Sequence, residues 1–320
     1  MLPALSLILL LVGAVALYFG SQWLVNGATA LAMRYGVRPL VIGLTVIALG
    51  TSSPEAVLAI VSSLEGSSSI SLGNVIGANI SNGALVLGIA CLMAPLALRL
   101  NEMRWESFFL LLSGPLLIAL SWDGHLGPVD GAIMLAVLAI FSCSMYRGAD
   151  RGKARTVVKE ELELVQEVKS MTGTKIVTLI AAGIVLLSLG AQIIVEGASG
   201  LAIGLGVSPE VVGLTLVAVG TSVPEVAIAI TASRKGQSEV VLGNVVGTII
   251  INTLFILSLG ALVGGYDTTG AETAVGMGVM TALSTMIVLL LALLDHGGRR
   301  TGMGFLAIYA GYLLLVILLA

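Results

Sequence analysis

Residues 37–82 return at 207–252 without a gap and with about half of the positions identical, and this duplication constrains the chain more than any other feature. The offset of 170 carries Gly50-Thr51-Ser52 onto Gly220-Thr221-Ser222, Pro54-Glu55 onto Pro224-Glu225, and Gly73-Asn74 onto Gly243-Asn244. It extends upstream, where Gly20, Gln22, Val25 and Gly27 fall on Gly190, Gln192, Val195 and Gly197, with Asn26 replaced by Glu196. The chain reads as two related halves.

The halves are built for a bilayer. With 57% hydrophobic and only 10% charged residues, and a mean hydropathy of +1.08, the composition lies far from soluble proteins, of which about a quarter is charged. Dividing the apolar runs at their polar breaks predicts five helices per half, over 3–30, 39–63, 70–97, 105–121 and 128–146, then 174–200, 209–233, 239–263, 272–294 and 301–320. The expected fold is an all-α integral membrane protein with ten transmembrane helices. It divides into a first half at 1–146, a connecting loop at 147–173 and a second half at 174–320.

An odd number of helices per half inverts the second half. Basic residues provide an independent check, because short cytoplasmic connections carry the Lys and Arg excess. Arg34 and Arg38, Arg99 and Arg104, the run from Arg147 to Lys175, Arg234 and Lys235, and Arg299 and Arg300 occupy alternate connections. The others hold Glu65, Asp123, Asp130, Glu210, Asp267 and Glu272 with no basic residue. Both termini are thus expected outside and the central loop in the cytoplasm. The first apolar run lacks the flanks of a cleaved signal and is read as a retained helix. Inverted repeats with a site at their interface are a common transporter architecture.

Other chemistries lack their residues. Cys91 and Cys143 fall inside apolar segments and specify no disulfide framework. His125 and His296 have no second ligand at metal spacing. No phosphate loop or nucleic-acid pattern is present, so neither an organic cofactor nor a nucleic-acid partner is expected. No nucleophile or histidine accompanies the motif glutamates, which argues against an enzyme. No obligatory protein partner is evident; membrane lipid is the expected surrounding.

Glu55 and Glu225 stand near the middle of apolar spans, where an ionised carboxylate costs several kcal/mol or more unless it is paired or faces a wet cavity. No Lys or Arg stands at comparable depth, leaving a bound cation or proton uptake as the partner. Pro54 and Pro224 are expected to break their helices at 51–53 and 221–223, freeing carbonyls as ligands. Oxygen ligands suit hard cations such as calcium and sodium. Gly73-Asn74-Val75-Ile76-Gly77 and Gly243-Asn244-Val245-Val246-Gly247 fit a close-packing pattern. The amides of Asn74, Asn79, Asn82, Asn244 and Asn252 exceed what packing alone needs, and Asn82 and Asn252 occupy matching positions.

G-T-S-x-P-E followed by G-N-V-x-G, present twice, resembles the α-repeats of the sodium/calcium exchanger family over essentially the whole chain. The resemblance implies a secondary-active antiporter exchanging calcium for sodium by alternating access in a prokaryotic cell membrane. It implies calcium ligands at Glu55 and Glu225 with Thr51 and Thr221 beside them, sodium sites at the Ala48 and Ala218 carbonyls and the Ser52, Ser222 and Thr248 hydroxyls, and Asn82 and Asn252 at the central position. Two departures bear on coupling. Ala78 stands where prokaryotic relatives often have serine, and Asn252 where some have an aspartate linked to potassium use; Gly77, where the proton/calcium branch commonly has glutamate, argues against proton coupling. Potassium independence follows, with proton/calcium antiport as the alternative and a cation channel behind it. Glu196, and the acids Glu160, Glu161, Glu163 and Glu167 of the central loop, read as interfacial and solvated. Trp23, Trp105 and Trp122 read as interfacial anchors.

Overall fold

The computed structural model describes residues 3–64, 68–97, 103–148, 171–205 and 220–319. It is an all-helical membrane protein. The first helix, α1 (Pro3–Tyr35), is 33 residues long. At about 1.5 Å per residue it is longer than a hydrocarbon core of about 30 Å requires, long enough to span one with some tilt. Gly36, at φ 64°, ends it, and Val37 N donates back to the Ala32 carbonyl at 3.0 Å, a left-handed stop that favours glycine. Gly236 closes its helix in the same way, with Gln237 N donating to Ala232 O at 2.9 Å.

The first repeat continues as α2 (Pro39–Ile42), a π-helical turn π1 (Gly43–Ile47), α3 (Ala48–Thr51) and α4 (Ser53–Leu64). After α5 (Ser68–Ile80) the chain winds through π2 (Ser81–Val86) into α6 (Leu87–Met93), then α7 (Arg104–Leu120) and α8 (Pro128–Gly148). The second half begins with the 32-residue α9 (Gly173–Gly204). Then follow α10 (Val223–Arg234), α11 (Ser238–Ile251), π3 (Asn252–Ile256), α12 (Leu257–Val263), α13 (Ala271–Leu293) and α14 (Arg299–Leu319).

Helices α1 and α9, equivalent in the repeat, pack along their length in an antiparallel sense, because Gly13 meets Ile194 while Gly27 meets Ile180. Glycines spaced by seven on both helices make the seam: a Cβ on Gly20 would fall 2.9 Å from Leu187 N, and one on Gly183 2.7 Å from Leu24 N. Small residues let membrane helices approach this closely. Hydrogen bonds then tie α1 to the end of α10, through Ser21 Oγ to Thr231 Oγ1 at 2.7 Å, Thr29 to Gln237 at 3.3 Å, and Lys235 Nζ donating to Asn26.

The repeats interlock. The π2 turn packs on α10 and the π3 turn on α4, so each π-turn meets the other half's proline-glutamate helix. The second G-N-V-x-G motif, on α11, lies against α2 and π1. There a Cβ on Gly243 would stand 2.6 Å from Leu40 O, so the close-packing reading of this motif holds. Two short antiparallel pairs also join the halves. Leu96–Ala97 pairs with His296–Gly297, and His125–Leu126 with Tyr266–Asp267.

Among the described residues six helices are long and apolar enough to cross a membrane, or seven when Pro39–Thr51 and Ser53–Val61, bent by 51°, are taken as one span. The count differs from the expected ten in part because α7 has only 17 residues and the segment expected at 209–233 is described only from 220. Of the expected anchors, Trp105 begins α7 and Trp122 follows its end. Trp23 instead sits inside α1, which runs five residues beyond its expected end at 30. Cys91 is buried, whereas Cys143 lies exposed on α8 rather than packed in the interior. Glu65, Arg99, Glu210 and most of the central loop lie outside the described residues.

Candidate cation site

Pro54 and Pro224 occupy the second positions of α4 and α10, where the missing backbone N–H is not needed by the helix. The residue before each helix adopts nearly the same bent backbone, Ser52 at φ −83°, ψ 7° and Ser222 at φ −89°, ψ 0°. The expected break is therefore present in the first half, between α3 and α4, and the second half has the matching turn at Thr221 and Ser222, with the segment before 220 outside the described residues. Its local consequence differs from simple release of carbonyls. Gly50 O, which would have bonded the absent N–H of Pro54, accepts from the Ser53 hydroxyl at 2.8 Å. The second repeat has Val223 at that position and cannot cap in the same way.

The break places Glu55 and Glu225 in the first turns of α4 and α10. Helix N-termini favour negative charge. Both carboxylates are shut from solvent, at 2% and 1% relative exposure. Among the described residues, Glu55 Oε2 and both oxygens of Glu225 have no hydrogen-bond partner. The two are electrostatic neighbours across the repeat interface, and among the described residues no cationic side chain acts on either. Thr51 lies beside Glu225, but its hydroxyl bonds its own helix at Ala48 O, at 3.3 Å.

Hydroxyls and amides complete an oxygen-rich interior. Among the described residues, the side-chain oxygens of the buried Ser52, Ser222 and Thr248 have no partner. Asn82, in π2, donates through Nδ2 to Ala78 O at 2.9 Å, and its Oδ1 has no partner among the described residues and is available as an acceptor. Asn252 opens π3 with both amide ends buried and, among the described residues, unpartnered. Single π-turns inside α-helices recur at functional sites. This donor set fits a hard cation, which prefers carboxylate, amide and hydroxyl oxygens.

Other expected residues are less ready. The Ala48 carbonyl accepts from Ser52 N at 3.0 Å as well as from Thr51, so both its lone pairs are engaged. Thr221 is half-buried. Ala218 lies outside the described residues, and the first G-N-V-x-G motif meets nothing within 4 Å at Gly73 or Gly77 among them. The equivalents of Leu40 and Leu44, residues 210 and 214, are not described. Asn79 and Thr253 form a bond of 3.0 Å between the repeats beside Asn252. The sequence singles out Asn79 only as a surplus amide and is silent on Thr253; the one signal was that their repeat equivalents are Ile249 and Gly83.

The family model described as "Sodium/calcium exchanger protein" matches residues 5–147 and again 175–318. An inner membrane protein of Escherichia coli, YrbG, is 32% identical, with the alignment covering 81% of this chain and 80% of that protein. The sodium/calcium exchanger MaX1 of Methanosarcina acetivorans is 28% identical over 97% of this chain and 98% of its own. The solved structure of the sodium/calcium exchanger from Methanococcus jannaschii superposes with a TM-score of 0.83 at 30% identity, over 98% of this chain and 99% of that one.

Proposed function

The chain belongs to the sodium/calcium exchanger protein family, and from that premise we propose that it exchanges calcium for sodium by alternating access at a site built around Glu55 and Glu225. The observation that carries this reading is the pair of buried carboxylates, one from each repeat, with three of their four oxygens unpartnered among the described residues. Dehydrating two like charges side by side is costly, and a bound divalent cation offsets both at once. Thr51 and Thr221 assist calcium. The hydroxyls of Ser52, Ser222 and Thr248 and the carbonyls of Ala48 and Ala218 serve sodium, and Asn82 and Asn252 line the centre.

The architecture proposed for this activity is ten transmembrane helices in two inverted halves, 1–146 and 174–320, joined by a cytoplasmic loop at 147–173. The antiparallel packing of the equivalent helices α1 and α9 supports inversion. So does the alternation of basic residues, which supports both termini outside a prokaryotic cell membrane. A rocking or sliding of one part against the other would then open the site to each side in turn. Asn252 in place of an acid supports potassium independence.

Calcium uptake into proteoliposomes, with sodium, potassium and proton gradients varied separately, tests the proposal. An outward sodium gradient is expected to drive uptake. Uptake driven by a pH gradient and not by sodium would replace the sodium assignment with proton coupling, and Ala78 would be the first position to examine.

A further inference from the structure

We propose that Asn79 is a positioning residue for the cation site, acting through Thr253 to hold the π-turn that begins at Asn252. The inference rests on the reading that Asn252 lines that site. Asn79 is 1% exposed and Thr253 is fully buried. Asn79 Nδ2 donates to Thr253 Oγ1 at 3.0 Å and to Met280 Sδ at 3.2 Å, and Thr253 Oγ1 donates in turn to Ile249 O at 2.8 Å. A chain of hydrogen bonds thus runs from α5 of one half into the second residue of π3 in the other.

The link matters because of what stands next to it. A π-turn interrupts the regular helical ladder, so its register must be held by something else. Asn252, immediately before Thr253, has neither amide end bonded to any of the described residues. Asn82, its counterpart, is steadied by the Ala78 carbonyl. The two central amides are therefore positioned by different means, one by its own helix and the other through Asn79 from across the interface.

Ordinary packing does not account for the pair. At the equivalent positions of the other repeat stand Ile249 and Gly83, so the same register is served there without a hydrogen bond. The link also leaves Asn79 Oδ1 buried without a partner, a cost an apolar side chain would avoid.

The experiment measures the calcium concentration giving half-maximal uptake, together with the maximal rate and the thermal midpoint of the purified protein. Thr253→Val and Asn79→Leu are each expected to raise half-saturation by about tenfold, the scale of losing one buried hydrogen bond. Thr253→Ser is expected to stay within about twofold, and the double variant Asn79→Leu/Thr253→Val to be no worse than the weaker single variant. Thr253→Val keeps the side-chain shape and guards against misfolding of Asn79→Leu. A lower thermal midpoint with unchanged half-saturation in both variants would overturn the inference in favour of a purely structural bond. Half-saturation can be read whichever gradient drives uptake, so proton coupling would not obscure the result. Glu55→Gln, run alongside, separates the two readings. If it is inactive while Asn79→Leu keeps normal half-saturation, only this inference falls; if it transports normally, the site reading falls and takes this inference with it.

Discussion

Gly247 of the second G-N-V-x-G motif stands directly against the backbone of Leu44 in the other half, where a Cβ would fall 2.6 Å from Leu44 Cα. Backbone cannot move aside as a flexible side chain can. Gly247→Ala is therefore expected to destabilise the fold by about 1–3 kcal/mol, the usual range for overpacking. Gly278→Ala, on α13 with nothing within 4 Å among the described residues, is expected to be neutral or stabilising by up to about 1 kcal/mol from helix propensity. Thermal unfolding in detergent compares the two; equal midpoints would remove the close-packing role.

Glu55→Gln and Glu225→Gln are each expected to abolish calcium transport while the protein still folds. Each substitution keeps the shape and removes one of the two charges set against a dehydrated divalent ion. Purified variants assayed in proteoliposomes decide the point, and near-normal uptake by either would take that glutamate out of the site.

Charge counting predicts the electrical behaviour of the exchange. Two ionised glutamates neutralise one calcium, whereas three sodium ions leave one positive charge for the surrounding carbonyls, hydroxyls and the amides of Asn82 and Asn252. Three-for-one exchange then moves one net charge, worth about 2.3 kcal/mol per 100 mV. A potential set with valinomycin is expected to change the rate of sodium-driven uptake. A rate indifferent to voltage would point to neutral exchange.

Potassium is expected to be unnecessary, because Asn252 stands where relatives linked to potassium use carry an aspartate. Asn252→Asp introduces that acid and is expected to confer some potassium sensitivity. Wild-type protein that transports only after potassium is added would refute the first expectation.

Cysteine labelling in intact cells is expected to reach sites engineered at both termini and to miss sites at 147–173. The basis is the one-sided distribution of Lys and Arg. A C-terminus protected in intact cells and labelled only after lysis would sink the topology, and the inversion with it.

The sequence alone determined the features that depend on local chemistry or on comparison of the chain with itself. The duplication at 170 residues, the apolar composition, the break ahead of Pro54 and Pro224, and the placement of Glu55 and Glu225 in apolar spans follow from residue type and spacing. Backbone preference and the cost of a buried charge act wherever those residues stand. Tertiary structure decided which groups meet. That Ser53 takes the carbonyl freed by Pro54 and the Ala48 carbonyl is doubly engaged depends on side-chain rotamers at the bend. That Gly247 faces Leu44 and Asn79 reaches Thr253 depends on how the two halves dock. The repeat pattern is nearly symmetric and therefore silent about the places where the interface is not. Ile249 and Gly83 oppose Asn79 and Thr253 in the alignment, but only the packed halves put the polar pair in contact, because hydrogen bonding requires an approach near 3 Å that no one-dimensional pattern specifies.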